Sequence, residues 1–290
     1  MNGWIFIDKP KNITSFKVIQ RLRKILNIKK IGHAGTLDPF ATGILAIAVG
    51  EATKSIHYFN QNKVYVFDIV FGESKDTDDI TGKTIKRSNI IPKLDEINQC
   101  LRKFIGKHSQ VPPKYSAVKV NGKRAYKLAR NNQNFVIQSK DIFIKNLKCL
   151  GNKNNNEYTF TMECSTGTYV RSIARDLGKL LGTFAYVSEL RRVKIGKIDE
   201  KDIILLDKFE ELVHIGDHFE VMHSIRKVLD DIPAVLIDQE LSLKFQNGLG
   251  FEYSNKKLEN DYLLVETDRK FIGIGKASEG KIKPVRVFNL

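Results

Sequence analysis

The chain has 290 residues, 42% hydrophobic and 28% charged, proportions that suit a globular protein with a sizeable core. Lysine and arginine number 48 against 33 acids, and the resulting formal charge of +15 implies an anionic partner, although charge also serves solubility alone. No apolar run approaches the roughly 18–20 residues of a membrane span and no signal peptide opens the chain; Cys100, Cys149 and Cys164 make neither a disulfide framework nor a metal pair, so a cytoplasmic protein is expected.

Trp4–Ile7 reads as a first strand, ended by Lys9-Pro10. Thr14 or Ser15 can cap a helix whose apolar stripe is Val18, Ile19, Leu22, Ile25 and Leu26. Lys17, Arg21 and Lys24 fall on another face, which suits solvent or a ridge of phosphates. Ile44–Val49 is an apolar strand. Val64–Phe71, apolar on both faces except at Asp68, reads as a central strand closed by Gly72. The acidic stretch Asp76-Thr77-Asp78-Asp79 leads into a turn at Thr81-Gly82. Leu94, Ile97, Leu101 and Phe104 then mark an amphipathic helix ended by Gly106.

The span from Val111 to Arg130 is basic and contains Pro112-Pro113, which predicts a loop-rich insertion over about 107–134. Strands are expected at Phe135–Ile137, Ile142–Leu150 and Tyr158–Cys164, with a polar loop at Asn152–Asn156. A helix with Val170, Ile173, Leu177 and Leu180 inward follows the turn Thr166-Gly167-Thr168, and Arg171 and Arg175 sit one turn apart on it. This order predicts an α+β fold with a mixed, mostly antiparallel central sheet and flanking helices. From about residue 231 the texture changes: a hairpin pattern over Leu263–Gly275 and a strand at Val285–Phe288 suggest a small β-rich module.

Several short patterns resemble known sites and fail on inspection. Gly82-Lys83-Thr84 lacks the upstream glycine of a phosphate-binding loop, and Asp76-x-Asp78 is followed by Ile80 and Thr81 where a calcium loop needs a ligand and glycine. Gly273-Ile274-Gly275 lacks a third glycine, and His214 and His218 are not followed by the glutamate of a zinc helix. Gly32-His33-Ala34-Gly35-Thr36-Leu37-Asp38-Pro39-Phe40-Ala41-Thr42-Gly43 is different: its glycines permit close backbone approach, and Pro39 stiffens the chain after Asp38. Taken alone, Asp38 could still be a turn residue before proline.

The segment Gly32–Lys54, including Gly50-Glu51-Ala52-Thr53-Lys54, resembles the catalytic motif of TruB-family pseudouridine synthases. Asn2–Pro10 with Thr14-Ser15, Lys63-Val64-Tyr65 through Gly72, and Pro112-Pro113 through Arg130 resemble three more family motifs in order. Gly167–Arg171 and Leu190-Arg191-Arg192 complete the set. Phe16 stands where many members carry His, and Ala46 where many carry Pro.

The resemblance implies isomerisation of uridine to pseudouridine in the T loop of tRNA, at position 55, without a cofactor or metal. It assigns Asp38 the task of starting cleavage of the base–ribose bond, as nucleophile or by assistance. Arg171 would be its bidentate ionic partner, and Tyr65 would stack on the flipped base near carbon 5. His33 would occupy the space the nucleotide leaves or contact the RNA backbone, Tyr169 and Leu190 would line the pocket, and Lys17, Arg21, Lys119, Lys123 and Arg124 would contact RNA. A catalytic domain over 1–230 and a PUA-like RNA-binding module over 231–290 are expected. The absence of long terminal extensions suggests a stand-alone monomer with tRNA as partner, rather than a guide-RNA-dependent relative. A non-catalytic RNA-binding protein would need the basic surface but not Asp38, Tyr65 and Arg171 together.

Overall fold

A computed structural model describes residues 1–253, 258, 261–268 and 270–290. Strand β1 (Gly3–Lys9) is covered on both faces. Helix α1 (Ser15–Leu26) starts at Thr14, whose Oγ1 accepts from the Lys17 N–H at 3.0 Å, and stops at Asn27 in the left-handed region. Strands β2 (Ile31–His33) and β3 (Thr42–Val49) flank the glycine-rich loop, and β4 (Lys63–Phe71) follows. A small hairpin of β5 (Glu73–Lys75) and β6 (Thr84–Arg87) precedes α2 (Leu94–Leu101) and β7 (Gly106–Gln110).

The basic insertion is more structured than its loop-like sequence suggests. It holds a hairpin of β8 (Lys119–Val120) and β9 (Lys123–Arg124) and a helix α3 (Ala125–Arg130) that buries Ala125 and Leu128. Phe135–Ile137 is not a strand. The chain stays irregular to residue 139, with Ile137 alone anchored inside. Strand β10 (Lys140–Asn154) then pairs with β11 (Glu157–Cys164), so the asparagine tract lies largely at the tip of a long hairpin.

Helix α4 (Val170–Leu180), β12 (Ala185–Ile195), β13 (Ile198–Asp199), β14 (Ile204–Leu205), α5 (Leu206–Ile215) and the short α6 (Ile225–Val228) complete the larger part. Its ten-stranded sheet runs β14-β1-β3-β12-β4-β11-β10-β7, with β2 beside β3 and β13 beside β12. Only β1/β14 and β3/β12 pair in parallel, in keeping with the mixed, mostly antiparallel sheet expected from the α+β pattern. The β3/β12 contact is short: Thr42 with Arg191 and Gly43 with Arg192. It divides the sheet into two half-sheets. One core cluster packs Phe67, Phe71, Phe104 and Phe160 with α4, and another packs β1 and β3 against α1 and α5.

The C-terminal module holds β15 (Ala234–Leu236), α7 (Gln239–Gln246), β16 (Phe251–Glu252), β17 (Tyr262–Glu266), β18 (Phe271–Ser278) and β19 (Lys281–Val287). These strands form a separate sheet, β15-β17-β18-β19-β16, around Phe245, Leu263 and Ile282. Its Leu264, Phe271 and Phe288 pack in one cluster with Trp4, Phe6 and Phe59 of the larger part. Among the described residues no helix is long and apolar enough to cross a membrane.

Candidate active site

The glycine-rich loop between β2 and β3 is anchored from beneath by α1 and β1. Ser15 Oγ accepts from the Leu37 N–H at 2.9 Å and donates to the Leu37 carbonyl at 3.0 Å. Lys9, fully buried, donates to the carbonyls of Pro10, Ile13 and Pro39. The Asn12 N–H donates to the Pro39 carbonyl at 2.8 Å. These bonds pin the residues on both sides of Asp38, whose own side chain remains 30% exposed. The carboxylate is thus held rigidly while one side stays open for a substrate.

Arg171, on the first turn of α4, reaches Asp38 Oδ1 from Nη2 at 2.8 Å. The bidentate pairing expected from the resemblance is not formed, because the guanidinium is shared. Nη1 donates to the Thr77 carbonyl at 2.9 Å and lies 3.4 Å from Asp79 Oδ2, while Nη2 also donates to the Tyr115 carbonyl at 3.1 Å. Asp79 is itself fixed: its Oδ1 accepts from Thr77 Oγ1 at 2.8 Å and from the Thr81 N–H at 3.0 Å. The acidic stretch is strapped to β12 by the Ile80 N–H to the Val187 carbonyl and the Val187 N–H to the Asp78 carbonyl. Arg175, one turn on, pairs with Asp78 and Asp176.

Burial lifts the Asp38 carboxyl above its usual range, and Arg171 is the largest influence in the opposite direction, with Asp79 opposing it and Lys9 assisting. Lys9 is pushed down to about 8 by burial despite Asp38 nearby. Tyr65, on β4, is buried in the cluster that includes Leu37, Phe40, Leu190 and Val170. Its hydroxyl is pushed up by burial, with Arg192 pulling the other way.

Leu190 faces Phe67 across β4/β12 and is 6% exposed, so it forms a floor beside Tyr65. Tyr169 caps α4, and Gln110 clamps its backbone: Oε1 accepts from the Tyr169 N–H at 2.8 Å and Nε2 donates to its carbonyl at 3.1 Å. Burial pushes the Tyr169 hydroxyl up, and Asp38 and Arg171 both lie within its electrostatic range. His33 is half-buried on β2 with an unpartnered Nδ1, and burial lowers its basicity. The Asp38–Arg171 pair therefore adjoins the cluster in which Leu37, Tyr65 and Leu190 pack together, Tyr169 caps the helix that carries Arg171, and β2 carries His33 to the start of the glycine-rich loop.

The basic residues behave differently. Lys17, Lys119, Lys123 and Arg124 are exposed, although Arg124 Nη1 also donates to the Ala117 carbonyl within its own insertion. Arg21 does not present a free charge: Asp207 and Glu210 of α5 engage its guanidinium, with Nη2 2.7 Å from Asp207 Oδ1. It ties α1 to α5, a correction to the phosphate contact expected from helix spacing. Sequence reasoning missed Lys9, Ser15, Asp79, Gln110 and Arg192. Asp79 carried a faint signal in the acidic stretch, flanked by Thr77 and Thr81, whose hydroxyls hold its carboxylate.

A sequence profile for the N-terminal domain of TruB family pseudouridylate synthases matches residues 23–170. Profiles for the C-terminal domain of tRNA pseudouridylate synthase B and for the C-terminal part of pseudouridine synthase II TruB match residues 171–236 and 233–288. The tRNA pseudouridine synthase B of Ehrlichia ruminantium (strain Gardel) is 46% identical, aligned over 100% of both chains. That of Caulobacter vibrioides is 37% identical over 100% of this chain and 97% of its own. Among solved structures, a Cbf5-Nop10-Gar1 complex includes a chain with the same fold, at a TM-score of 0.76 and 24% identity, covering 99% of this chain and 84% of that one. The profiles and the full-length similarity agree, and this chain belongs to the TruB family of pseudouridylate synthases.

Proposed function

We propose that the chain converts uridine to pseudouridine in tRNA, at the T-loop uridine of position 55, with Asp38 as the carboxylate that starts cleavage of the base–ribose bond. The observation that carries this reading is the Arg171–Asp38 pair at 2.8 Å, with the Asp38 side chain partly exposed and the neighbouring Leu37 packed in one cluster with Tyr65 and Leu190. A stacked uridine must leave its loop to reach Asp38, and a flipped base suits a pocket with an aromatic wall at Tyr65 and an aliphatic floor at Leu190. Asp38 acts on the ribose side of the base as nucleophile or by assisting departure of the uracil. Arg171 keeps that carboxylate ionised and aimed, and Tyr65 takes the proton from carbon 5 once the base has turned and rejoined. Tyr169 borders the sugar, and His33 supports the RNA around the vacated position.

The exposed Lys17, Lys119, Lys123 and Arg124 supply contacts to the T arm. The larger part, residues 1–230, performs the chemistry, and the module over 231–290 extends the RNA contact. The enzyme acts as a cytoplasmic monomer on tRNA, without an obligatory protein partner. The test is position-mapped pseudouridine detection on an unmodified tRNA transcript, with Asp38→Asn beside the parent. Conversion at position 55 by the parent and none by the variant, with tRNA binding retained, is the expected result. Substantial turnover by purified Asp38→Asn overturns the assignment.

A further inference from the structure

Arg192 is among the largest side chains sealed completely inside the protein. Its Nε donates to the Ile44 carbonyl at 2.7 Å and its Nη2 to the Gly35 carbonyl at 3.2 Å, while Nη1 is buried with no hydrogen-bond partner. Among the described residues no carboxylate pairs with it. A charge held inside the protein on neutral carbonyls alone is costly, and an unspent donor adds to that cost.

The sheet register indicates what this charge acts on. Arg192 stands directly opposite Tyr65 across β4/β12, so the two project from the same face. Lys63, two residues before Tyr65 on β4, shares that face and is also buried. A Cβ placed on Gly35 would lie 3.3 Å from Lys63 Nζ and 3.6 Å from Arg192 Nη1, so both cations converge beneath the loop that carries Asp38. Burial opposes ionisation of the Tyr65 hydroxyl, and Arg192 is the strongest influence favouring it.

We propose that Arg192 is a positioning residue for the isomerisation: its free Nη1 holds the ionised oxygen of Tyr65 while that oxygen accepts the proton from carbon 5 of the rejoined uracil. The C5–H bond breaks, its electron pair forms the C5=C6 double bond, and the pair displaced from C6=N1 passes to nitrogen 1. That nitrogen carries the proton Tyr65 gave up on ionising, and the proton taken from carbon 5 restores the neutral phenol, so the step is balanced without a co-reactant. The guanidinium never touches the substrate. It acts through Tyr65, and the inference rests on the proton-accepting role proposed above for that residue.

A tRNA transcript with 5-fluorouridine at the target position separates the steps, because its base can be cleaved, turned and rejoined but has no proton on carbon 5 to lose. Single-turnover rates on uridine and 5-fluorouridine transcripts are compared for the parent, Arg192→Met, Arg192→Lys and Tyr65→Phe. Arg192→Met is expected to slow uridine conversion by roughly 10²-fold, the scale of losing one preorganised donor, while rearrangement of 5-fluorouridine proceeds near the parent rate. Arg192→Lys, which keeps the charge, is expected to recover most of the uridine rate. Equal slowing on both transcripts, or no slowing on uridine, overturns the proposal. Should Arg192→Met fail to fold by circular dichroism, the same comparison on Arg192→Gln, which also removes the charge, decides: a loss confined to uridine supports the proposal, and an equal loss on both transcripts or no loss on uridine overturns it. Tyr65→Phe identifies which idea has failed. If it slows both transcripts alike, the proton-accepting role of Tyr65 falls; if it spares 5-fluorouridine and Arg192→Met does not, only the role of Arg192 falls.

Discussion

Ser15 and Leu37 are joined by a reciprocal pair of hydrogen bonds, one hydroxyl serving both the N–H and the carbonyl of a single residue at 2.9 and 3.0 Å. The first residue of α1 thereby fixes the residue immediately before Asp38. Ser15→Ala leaves both backbone groups buried and unpaired, at a cost of about 1–3 kcal/mol. Turnover is expected to fall with tRNA affinity nearly unchanged, because the carboxylate loses its aim and not its charge. Urea unfolding and single-turnover kinetics on Ser15→Ala check this; parental stability and rate would mean that the loop is held by Lys9 and Asn12 alone.

A second expectation concerns pH. Burial raises the Asp38 carboxyl, and Arg171 is its main counterweight. The carboxylate must be ionised to act, so the single-turnover rate falls as pH drops through this raised value, above the ordinary carboxylate range near 3.9. Arg171→Met removes the counterweight and is expected to shift the acid limb to higher pH, as well as lowering the plateau. Arg171→Lys keeps a point charge but cannot serve Asp38, Asp79, Thr77 and Tyr115 together, so its plateau also drops while its acid limb moves less. An acid limb at the same pH in all three proteins would show that Asp38 does not set it.

The exposed basic residues divide into free and committed charges, and salt dependence distinguishes them. Neutralising Lys119, Lys123 and Arg124 together is expected to weaken tRNA binding and to lower the log–log salt slope by roughly 0.7–0.9 for each phosphate that no longer meets a cation. Arg21→Gln is expected to leave that slope unchanged, since its guanidinium is occupied by Asp207 and Glu210. Titrations at several salt concentrations measure both, and a slope altered by Arg21→Gln but not by the triple variant would reverse the assignment.

Lys63 offers a stability readout independent of RNA. Burial pushes its ammonium down to about 8, whereas in the unfolded chain it titrates near 10.5. Between these values the unfolded state binds more protons, so Lys63 contributes stability that rises with pH through this window. Denaturant unfolding from pH 8 to 10.5 is expected to show a shallower rise in Lys63→Met than in the parent. A steeper rise in the variant would contradict the buried, uncompensated position.

The strands of the larger sheet were legible because their apolar runs are long and bounded, as in Ile44–Val49 and Val64–Phe71. The hairpin and short helix of the insertion were not, since two-residue strands have no periodicity and Ala125 and Leu128 are too few to mark a buried face. Asp38, Tyr65 and Arg171 were named through resemblance; composition and spacing alone left each with an ordinary structural explanation. Arg21 shows the limit of helix periodicity: spacing places it on the polar face, but its acidic partners lie 186 and 189 residues away. Arg191 and Arg192 look interchangeable in sequence. Yet Arg191 pairs with Asp8 and Glu200 while Arg192 is fully enclosed, a difference set by strand alternation next to a distant neighbour.

The short join between β3 and β12 carries a consequence for how the reacting groups are spaced. Asp38 lies in the loop that leads into β3 of one half-sheet, whereas Tyr65 and Leu190 lie on β4 and β12 of the other and Arg171 on the helix packed against it, so sliding at the join would move Asp38 away from all three. What sets the spacing there is the absence of a methyl group. Gly43 has a φ of +95°, and a Cβ on it would come within 2.3 Å of the Arg192 carbonyl oxygen. Any side chain at this position must wedge the halves open, widening the gap between two sets of groups that are each intact. Gauged this way, Gly43 works as a spacer of zero thickness, closing the two half-sheets to a separation that leaves no room for one more carbon atom.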